Sequence, residues 1–91
     1  MKKVKRKNSF SLRVCAVVAK IPRGKTMTYK QVAAKAGNRK AARAVGTIMS
    51  RNHDPNVPCH RVIRSDGKVG DYNRGGPARK VELLLEEAYS R

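Results

Sequence analysis

The stretch TYKQVAAKAGNRKAARAVGTIMS, residues 28–50, decides the fold. Its first half predicts a helix capped by Thr28 and ended by Gly37, because threonine favours the N-cap and glycine the position after the last turn. The second half predicts another helix over about 39–51. The inward faces of the two helices comprise Tyr29, Val32, Ala33 and Ala36, then Ala41, Val45, Ile48 and Met49. Two helices joined by a tight glycine-containing turn, the second rich in Arg and Lys, are typical of a helix-turn-helix.

A further helix is predicted on each side of this pair. Upstream, Ser9 or Ser11 offers an N-cap for a helix over about 10–20, which Pro22 ends. Its apolar face comprises Phe10, Val14, Val17, Val18 and Ile21. Downstream, Pro77 favours the first position of a last helix. The predicted apolar face of that last helix comprises Val81, Leu84, Leu85 and Ala88.

The segment between the pair and the last helix has a different composition. Pro55 and Pro58 prevent a helix, so residues 53–58 are predicted to form a loop. Residues 59–63, CHRVI, predict a short strand that returns through Val69 as a hairpin. We therefore predict a mainly α domain with a small β-hairpin, of winged-helix-like helix-turn-helix type, over residues 9–91. A basic flexible arm over residues 1–8 precedes it.

The charge is large and unevenly placed. The 91 residues carry a formal net charge of +16. Residues 1–53 hold fifteen Lys or Arg and no acid, whereas residues 54–91 hold seven Lys or Arg and all six acids. Such a field indicates a polyanionic partner, most commonly nucleic acid. Charge alone does not separate this interpretation from a ribosomal-type or generally adhesive basic protein.

Several classes of protein do not fit the sequence. No apolar run approaches the roughly 18 residues that a membrane-spanning helix needs, so we expect no membrane contact. The basic N-terminus lacks the apolar stretch of a secretory signal, and two cysteines do not make a disulfide framework. We expect a monomer that is cytoplasmic and nucleoid-associated.

The outward face of the second helix of the pair combines charge with small side chains. Its exposed residues are Arg39, Arg43, Gly46, Thr47 and Ser50. Small residues such as Ala42 and Gly46 let a helix backbone approach a groove closely. Most surface arginines are merely solvated, but no acid in this half is available to pair with these two, which favours contact with nucleic acid.

Cys59 is the candidate nucleophile, since it follows the stiffening Pro58 and directly precedes His60. A cysteine is nucleophilic as its thiolate, which cationic neighbours favour. Adjacent residues of a regular strand point to opposite faces, so a bent backbone or a bridging water is required for the two side chains to cooperate. Glu86 or Glu87 on the last helix would then orient the histidine. A lone Cys–His pair is weak evidence, because free cysteines are more often buried and structural.

The other ligand-type residues predict no metal site. Cys15 lies among apolar residues and is interpreted as structural. The spacing of Cys15, His53, Cys59 and His60 does not match a structural zinc site. We expect no cofactor.

The run VPCHRVI, residues 57–63, resembles the Pro-Cys-His-Arg-Val motif of the O6-alkylguanine-DNA alkyltransferases. Other segments follow in the order that is typical of this family: IPRG before Thr28-Tyr29, AARAVG over 41–46, then Asp66-Gly67, Gly70, Tyr72, Gly75-Gly76 and the Lys80 to Leu85 segment. The resemblance covers about residues 9–88 and corresponds to the C-terminal domain of the family. The N-terminal domain that usually precedes it is expected to be missing.

The resemblance implies a chemistry. Cys59 would accept the alkyl group from guanine O6, His60 would deprotonate it through a water, and Glu87 would hold the imidazole. A thioether is not readily cleaved, so each chain would act once and be consumed.

The resemblance also implies how double-stranded DNA containing O6-alkylguanine is bound. Tyr29 would rotate or protonate the target nucleotide, Arg43 would fill the gap left by the flipped base, and Asn52 would act as a hinge. The helix-turn-helix would enter the minor groove. The implied DNA-binding residues are Tyr29, Arg39, Ala42, Arg43, Gly46, Thr47 and Ser50. The implied substrate pocket comprises Tyr29, Met49, Val57, Pro58, Tyr72, Asn73 and Lys80.

The sequence departs from the pattern of the family in two places. Residues 53–57 form a shorter and less apolar segment than is usual, and Asn73-Arg74 is about one residue longer. Both segments border the expected base pocket, so they affect its size.

Two other functions remain open. Alkyltransferase-like proteins share this domain but replace the cysteine, bind alkylated DNA without repairing it, and recruit nucleotide excision repair proteins. A plain basic helix-turn-helix explains the charge but not the 57–63 run. The retained Cys59, with His60 and Glu87, favours the transferase.

Overall fold

The computed structural model describes residues 9–66, 69–70 and 72–89. It contains four helices and a two-stranded parallel sheet. In chain order the elements are α1 (Ser9–Ala19), β1 (Met27–Thr28), α2 (Tyr29–Lys35), α3 (Ala42–Ser50), a 3₁₀ helix (Cys59–Arg61), β2 (Val62–Ile63) and α4 (Gly76–Tyr89). The predicted mainly α helix-turn-helix architecture is confirmed, while the predicted arm over residues 1–8 lies outside the described residues. Within the described residues, no helix combines the length and apolar character that crossing a membrane requires.

Local side-chain chemistry defines both ends of α2. The Thr28 hydroxyl accepts a hydrogen bond from the Gln31 amide at 3.0 Å, and the Gln31 side chain accepts one from the Thr28 amide at 2.9 Å. This reciprocal capping box satisfies two amides that have no partner inside the helix. Gly37 has a φ of 102°, a conformation that favours glycine, and the amide that follows it bonds back to the Ala33 carbonyl. The predicted cap and end of this helix are both confirmed.

Helix α3 begins three residues later than predicted because Asn38 organises a turn before it. The Asn38 side chain accepts from the Lys40 amide at 3.1 Å, and its carbonyl accepts from the Ala41 amide at 3.0 Å. The predicted inward face of α3 is correct, since Val45 and Met49 are buried. They join one core, comprising Val14, Val18, Ile21, Val32, Ala33, Ala36, Val45, Met49, Val57, Cys59 and Val62.

The predicted hairpin is wrong. Strand β2 pairs in parallel with β1, Met27 opposite Val62 and Thr28 opposite Ile63, and Val69 lies in no strand. Residues 67–68 of the predicted turn lie outside the described residues. The predicted strand over 59–63 is correct only for 62–63, because the Arg61 amide bonds to the Pro58 carbonyl at 2.9 Å and closes a 3₁₀ turn. Cys59 and His60 therefore lie on a bent backbone.

The predicted facing of the last helix is also wrong. Val81 and Leu85 are exposed, whereas α4 buries Lys80 and Glu87, with Leu83 and Leu84 half-buried between them. Positions 80, 83, 84 and 87 form one helical stripe. The buried face thus contains two charged residues, and each of them has a polar partner there.

Candidate active site

Cys59 lines a cleft of about 870 Å³. It starts the 3₁₀ helix, and its backbone amide bonds to the Val57 carbonyl at 2.8 Å. Cys59 is buried, yet it contributes to the lining of the cleft. The residue is therefore largely shielded from bulk solvent and borders a space large enough for a small ligand.

The neighbouring His60 is held by Glu87 from the far end of α4. Its Nε2 lies 2.8 Å from Oε2 of Glu87. Arg61 donates to the same carboxylate twice, from Nε at 2.8 Å and from Nη2 at 2.7 Å, and donates from Nη1 to the Ile21 carbonyl. The sequence left Glu86 and Glu87 as alternatives. The structure brings Glu87 to the histidine and leaves Glu86 exposed, 3.7 Å from Arg79.

These contacts keep Glu87 ionised. The hydrogen bonds from Arg61 are the main cause that lowers the pKa of Glu87 from 4.5 to about 2, with His60 adding to the effect and burial opposing it. Glu87 is therefore a carboxylate at neutral pH and accepts hydrogen bonds only. It follows that Nε2 of His60 donates to it, which in a neutral imidazole leaves Nδ1 as the acceptor.

The walls of the cleft come from three parts of the chain. Ten of the residues implicated by the sequence line it: Tyr29, Ala42, Arg43, Gly46, Thr47, Met49, Ser50, Cys59, Tyr72 and Asn73. Seven do not: Arg39, Asn52, Val57, Pro58, His60, Lys80 and Glu87. Of this second group, Lys80 contacts Tyr29 and His60 contacts Tyr72, two residues of the lining, while Arg39 lies exposed in the turn before α3.

Comparison with known proteins identifies the family. Residues 9–89 match the family described as the DNA binding domain of 6-O-methylguanine DNA methyltransferase. The chain belongs to this family.

A curated relative and two solved structures illustrate the relationship. The chain is 50% identical over 82 residues to the methylated-DNA–protein-cysteine methyltransferase of Mus musculus, covering 88% of this chain and 39% of the mouse protein. The Mycobacterium tuberculosis OGT structure in complex with DNA has a TM-score of 0.80 and 43% identity, covering 86% of this chain and 48% of that one.

The second structure is that of Schizosaccharomyces pombe Atl1 in complex with damaged DNA containing O6-carboxymethylguanine. Its TM-score is 0.79 at 35% identity, covering 88% of this chain and 76% of that one. This chain therefore spans less than half the length of the mouse and mycobacterial proteins, and a larger part of Atl1.

Within this domain, Lys80 supports Tyr29 from behind the cleft wall. Lys80 is 1% exposed, its Nζ lies 3.5 Å from the Tyr29 hydroxyl oxygen, and it stands 5.7 Å from the centre of the ring. A cation at this distance from an aromatic ring is attracted to it. The ring and hydroxyl of Tyr29 are thus held in place at the cleft.

Asn52 connects the end of α3 to the segment that leads into Cys59. Its side-chain amide donates to the Val57 carbonyl at 3.4 Å, and its side-chain oxygen accepts from the Asp54 amide at 3.3 Å. The predicted hinge residue therefore lies at the junction between the DNA-binding motif and the thiol. Its role as a hinge stays a prediction.

Five residues of the site carried no role in the sequence prediction. Arg61 was visible only as part of the family motif. Its two hydrogen bonds to Glu87 join residues that are 26 positions apart in the sequence. The others are Arg64, Ser65, Asp66 and Gly70, which complete the cleft rim. Arg64 and Ser65 directly follow the 57–63 run, and Asp66 and Gly70 belong to segments that follow it in the order typical of the family. Within the described residues, no three His, Cys, Asp or Glu side chains converge as metal ligands.

Proposed function

We propose that this protein repairs DNA by transferring an alkyl group from O6 of guanine to Sγ of its own Cys59. The observation that carries the proposal is the arrangement of Cys59 in the cleft, next to a histidine that Glu87 holds at 2.8 Å. Membership of the methyltransferase family supports the same reaction.

The transfer needs a base, and His60 has the hydrogen-bonding pattern to serve as one. With Nε2 committed to Glu87, Nδ1 takes the Cys59 proton through a bridging water. The thiolate then attacks the alkyl carbon and forms a carbon–sulfur bond. The bond between that carbon and O6 breaks, its electron pair stays on the guanine, and the guanine takes up a proton at a ring nitrogen. Tyr29 lines the cleft, and in this proposal its hydroxyl donates that proton.

The charge and shape of the domain suit a duplex with one base extruded. Arg43, Gly46 and Thr47 of α3 line the same cleft as Cys59. A helix with small residues approaches a groove closely, and Arg43 then occupies the space of the extruded base. Residues 1–53, which hold no acid, supply the cations for phosphate contacts.

Intact-mass measurement after incubation with a duplex containing O6-methylguanine tests the transfer. We expect a gain of one methyl group per chain, mapped to Cys59 and abolished by Cys59→Ala. The matched control is Cys15→Ala, because Cys15 packs against the core and burial raises the pKa of its thiol, which disfavours the thiolate. A chain that binds the duplex but gains no mass contradicts the proposal.

A second candidate function is recognition of alkylated DNA without transfer, followed by recruitment of nucleotide excision repair proteins. The similarity to Atl1, whose structure contains O6-carboxymethylguanine DNA and of which this chain covers 76%, favours it. The two functions differ in the mass measurement: binding that survives in Cys59→Ala, with no mass gain in the unaltered chain, selects this second function.

A further inference from the structure

The two segments in which this sequence departs from its family pattern lie against each other. The Arg74 guanidinium donates from Nη2 to the carbonyl of Asp54 at 3.0 Å and to that of Asn52 at 3.3 Å. Arg74 therefore binds the backbone of the shortened loop directly. The longer segment at 73–74 and the shorter one at 53–57 form a single contact.

Asn73 makes the corresponding contact with the end of α3. Its side-chain amide donates to the Ser50 carbonyl at 2.8 Å and the Asn52 carbonyl at 2.9 Å, with a longer contact of 3.4 Å to Met49. An amide has two hydrogens, so the two short bonds use its capacity fully. The last carbonyls of a helix lack partners inside it, and the nearby positive charge of Arg74 complements the same helix end.

These bonds join two walls of the cleft. Met49 and Ser50 line it from α3, and Tyr72 and Asn73 line it from the segment before α4. That segment contains Gly70 and Gly75 at φ values of 81° and 128°, where the backbone has the freedom of glycine. The side-chain bonds of Asn73 and Arg74 therefore help to hold this segment against the end of α3 and the loop that follows it.

We propose that Asn73 and Arg74 are specificity-determining positioning residues that hold the two walls together and thereby limit the size of the O6 substituent the cleft accepts. This inference rests on the proposed function, since it takes alkylguanine as the occupant of the cleft. Removal of either side chain lets the walls separate, so transfer of a bulky substituent becomes faster relative to transfer of a small one.

A single-turnover competition between two duplexes of the same sequence tests this inference. One duplex carries O6-methylguanine and the other O6-benzylguanine, and the two products on Cys59 are separated by mass. The partition between products does not depend on how much of the chain is folded. For Asn73→Ala and for Arg74→Ala we expect a shift of about three- to tenfold towards the benzyl product, the scale of the net contribution of one to two hydrogen bonds. Arg74→Lys, which retains a donor and the charge, should restore part of the original partition.

The matched control is Arg51→Ala, which removes an exposed arginine beside the same helix end and should leave the partition unchanged. An unchanged partition in both alanine variants, or a shift towards methyl, overturns the inference while leaving the transfer itself intact. If the unaltered chain transfers neither group, the proposed transfer fails. The same two duplexes are then compared by binding affinity in the Cys59→Ser background, where the affinity ratio must shift by the same factor in the Asn73 and Arg74 variants.

Discussion

Replacing Glu87 with glutamine is expected to destabilise the domain by about 3 kcal/mol at neutral pH and by almost nothing near pH 2. Glu87 is 8% exposed, and hydrogen bonds from Arg61 and His60 lower its pKa from 4.5 to about 2. Each tenfold change in a protonation equilibrium is worth about 1.4 kcal/mol, and a fall from 4.5 to about 2 therefore gives about 3 kcal/mol. The free energy of unfolding of a native protein is about 5–15 kcal/mol in total, so the variant is expected still to fold.

The sign of the pH dependence follows from the direction of this pKa change. The folded-state pKa lies below the unfolded value, so the contribution is fully present above pH 4.5 and is lost as the pH falls towards about 2. Glutamine keeps the shape of the side chain but never carries the charge. The stability gap between the two proteins must therefore close on acidification.

Urea unfolding followed by circular dichroism at a series of pH values measures this gap. The control is Glu86→Gln, which removes the same charge from the next position, where the side chain is 61% exposed. It should change the free energy of unfolding by no more than about 0.5 kcal/mol at any pH. A Glu87→Gln gap that is absent at neutral pH, or that persists unchanged into acid, refutes the reasoning.

Four other results are expected. Thr28→Ala should lower the free energy of unfolding by about 1 kcal/mol in a thermal melt, because the capping box is lost; an unchanged melt contradicts this. Lys80→Ala should lower the free energy of unfolding in urea by about 2–4 kcal/mol, because the substitution empties a buried site. Lys30→Ala, at an exposed position, should change it by no more than about 0.5 kcal/mol. Arg43→Ala should slow transfer from duplex DNA more than from free alkylguanine, and equal losses count against its role in base extrusion. Affinity for duplex should fall steeply with salt, and a flat response rules out the acid-free half as the binding surface.

The helices were predictable because their ends depend on neighbouring residues. Thr28 and Gln31 cap each other across three positions, and Gly37 ends α2 by its own backbone freedom. The start of α3 was missed by three residues because the Asn38 turn satisfies the same amides that an earlier helical start would have used. Both the success and the error arise from local hydrogen bonding.

The sheet was not predictable in the same way. Strands β1 and β2 are only two residues each and pair across 35 positions of sequence, Met27 opposite Val62. So short a pairing leaves no periodicity to detect, and the nearby turn residues favoured a local hairpin instead. Composition and spacing indicated Cys59 as the nucleophile only weakly, and the family motif supplied most of the roles around it. The contacts of Arg61, Asn73 and Arg74 are tertiary, so only the structure reveals them.

The last helix shows most directly how the site and the fold are related. An amphipathic pattern of apolar residues favoured Val81 and Leu85 as the buried side, yet Leu85 is 51% exposed and Lys80 is 1% exposed. Burying two charged side chains is unfavourable unless each finds a partner. Lys80 has the Tyr29 hydroxyl and ring, and Glu87 has Arg61 and His60. Since Tyr29 lines the cleft, and His60 and Arg61 directly follow Cys59 in the chain, the rotation of α4 is determined by residues around the cleft. The apolar surface left outside is the consequence.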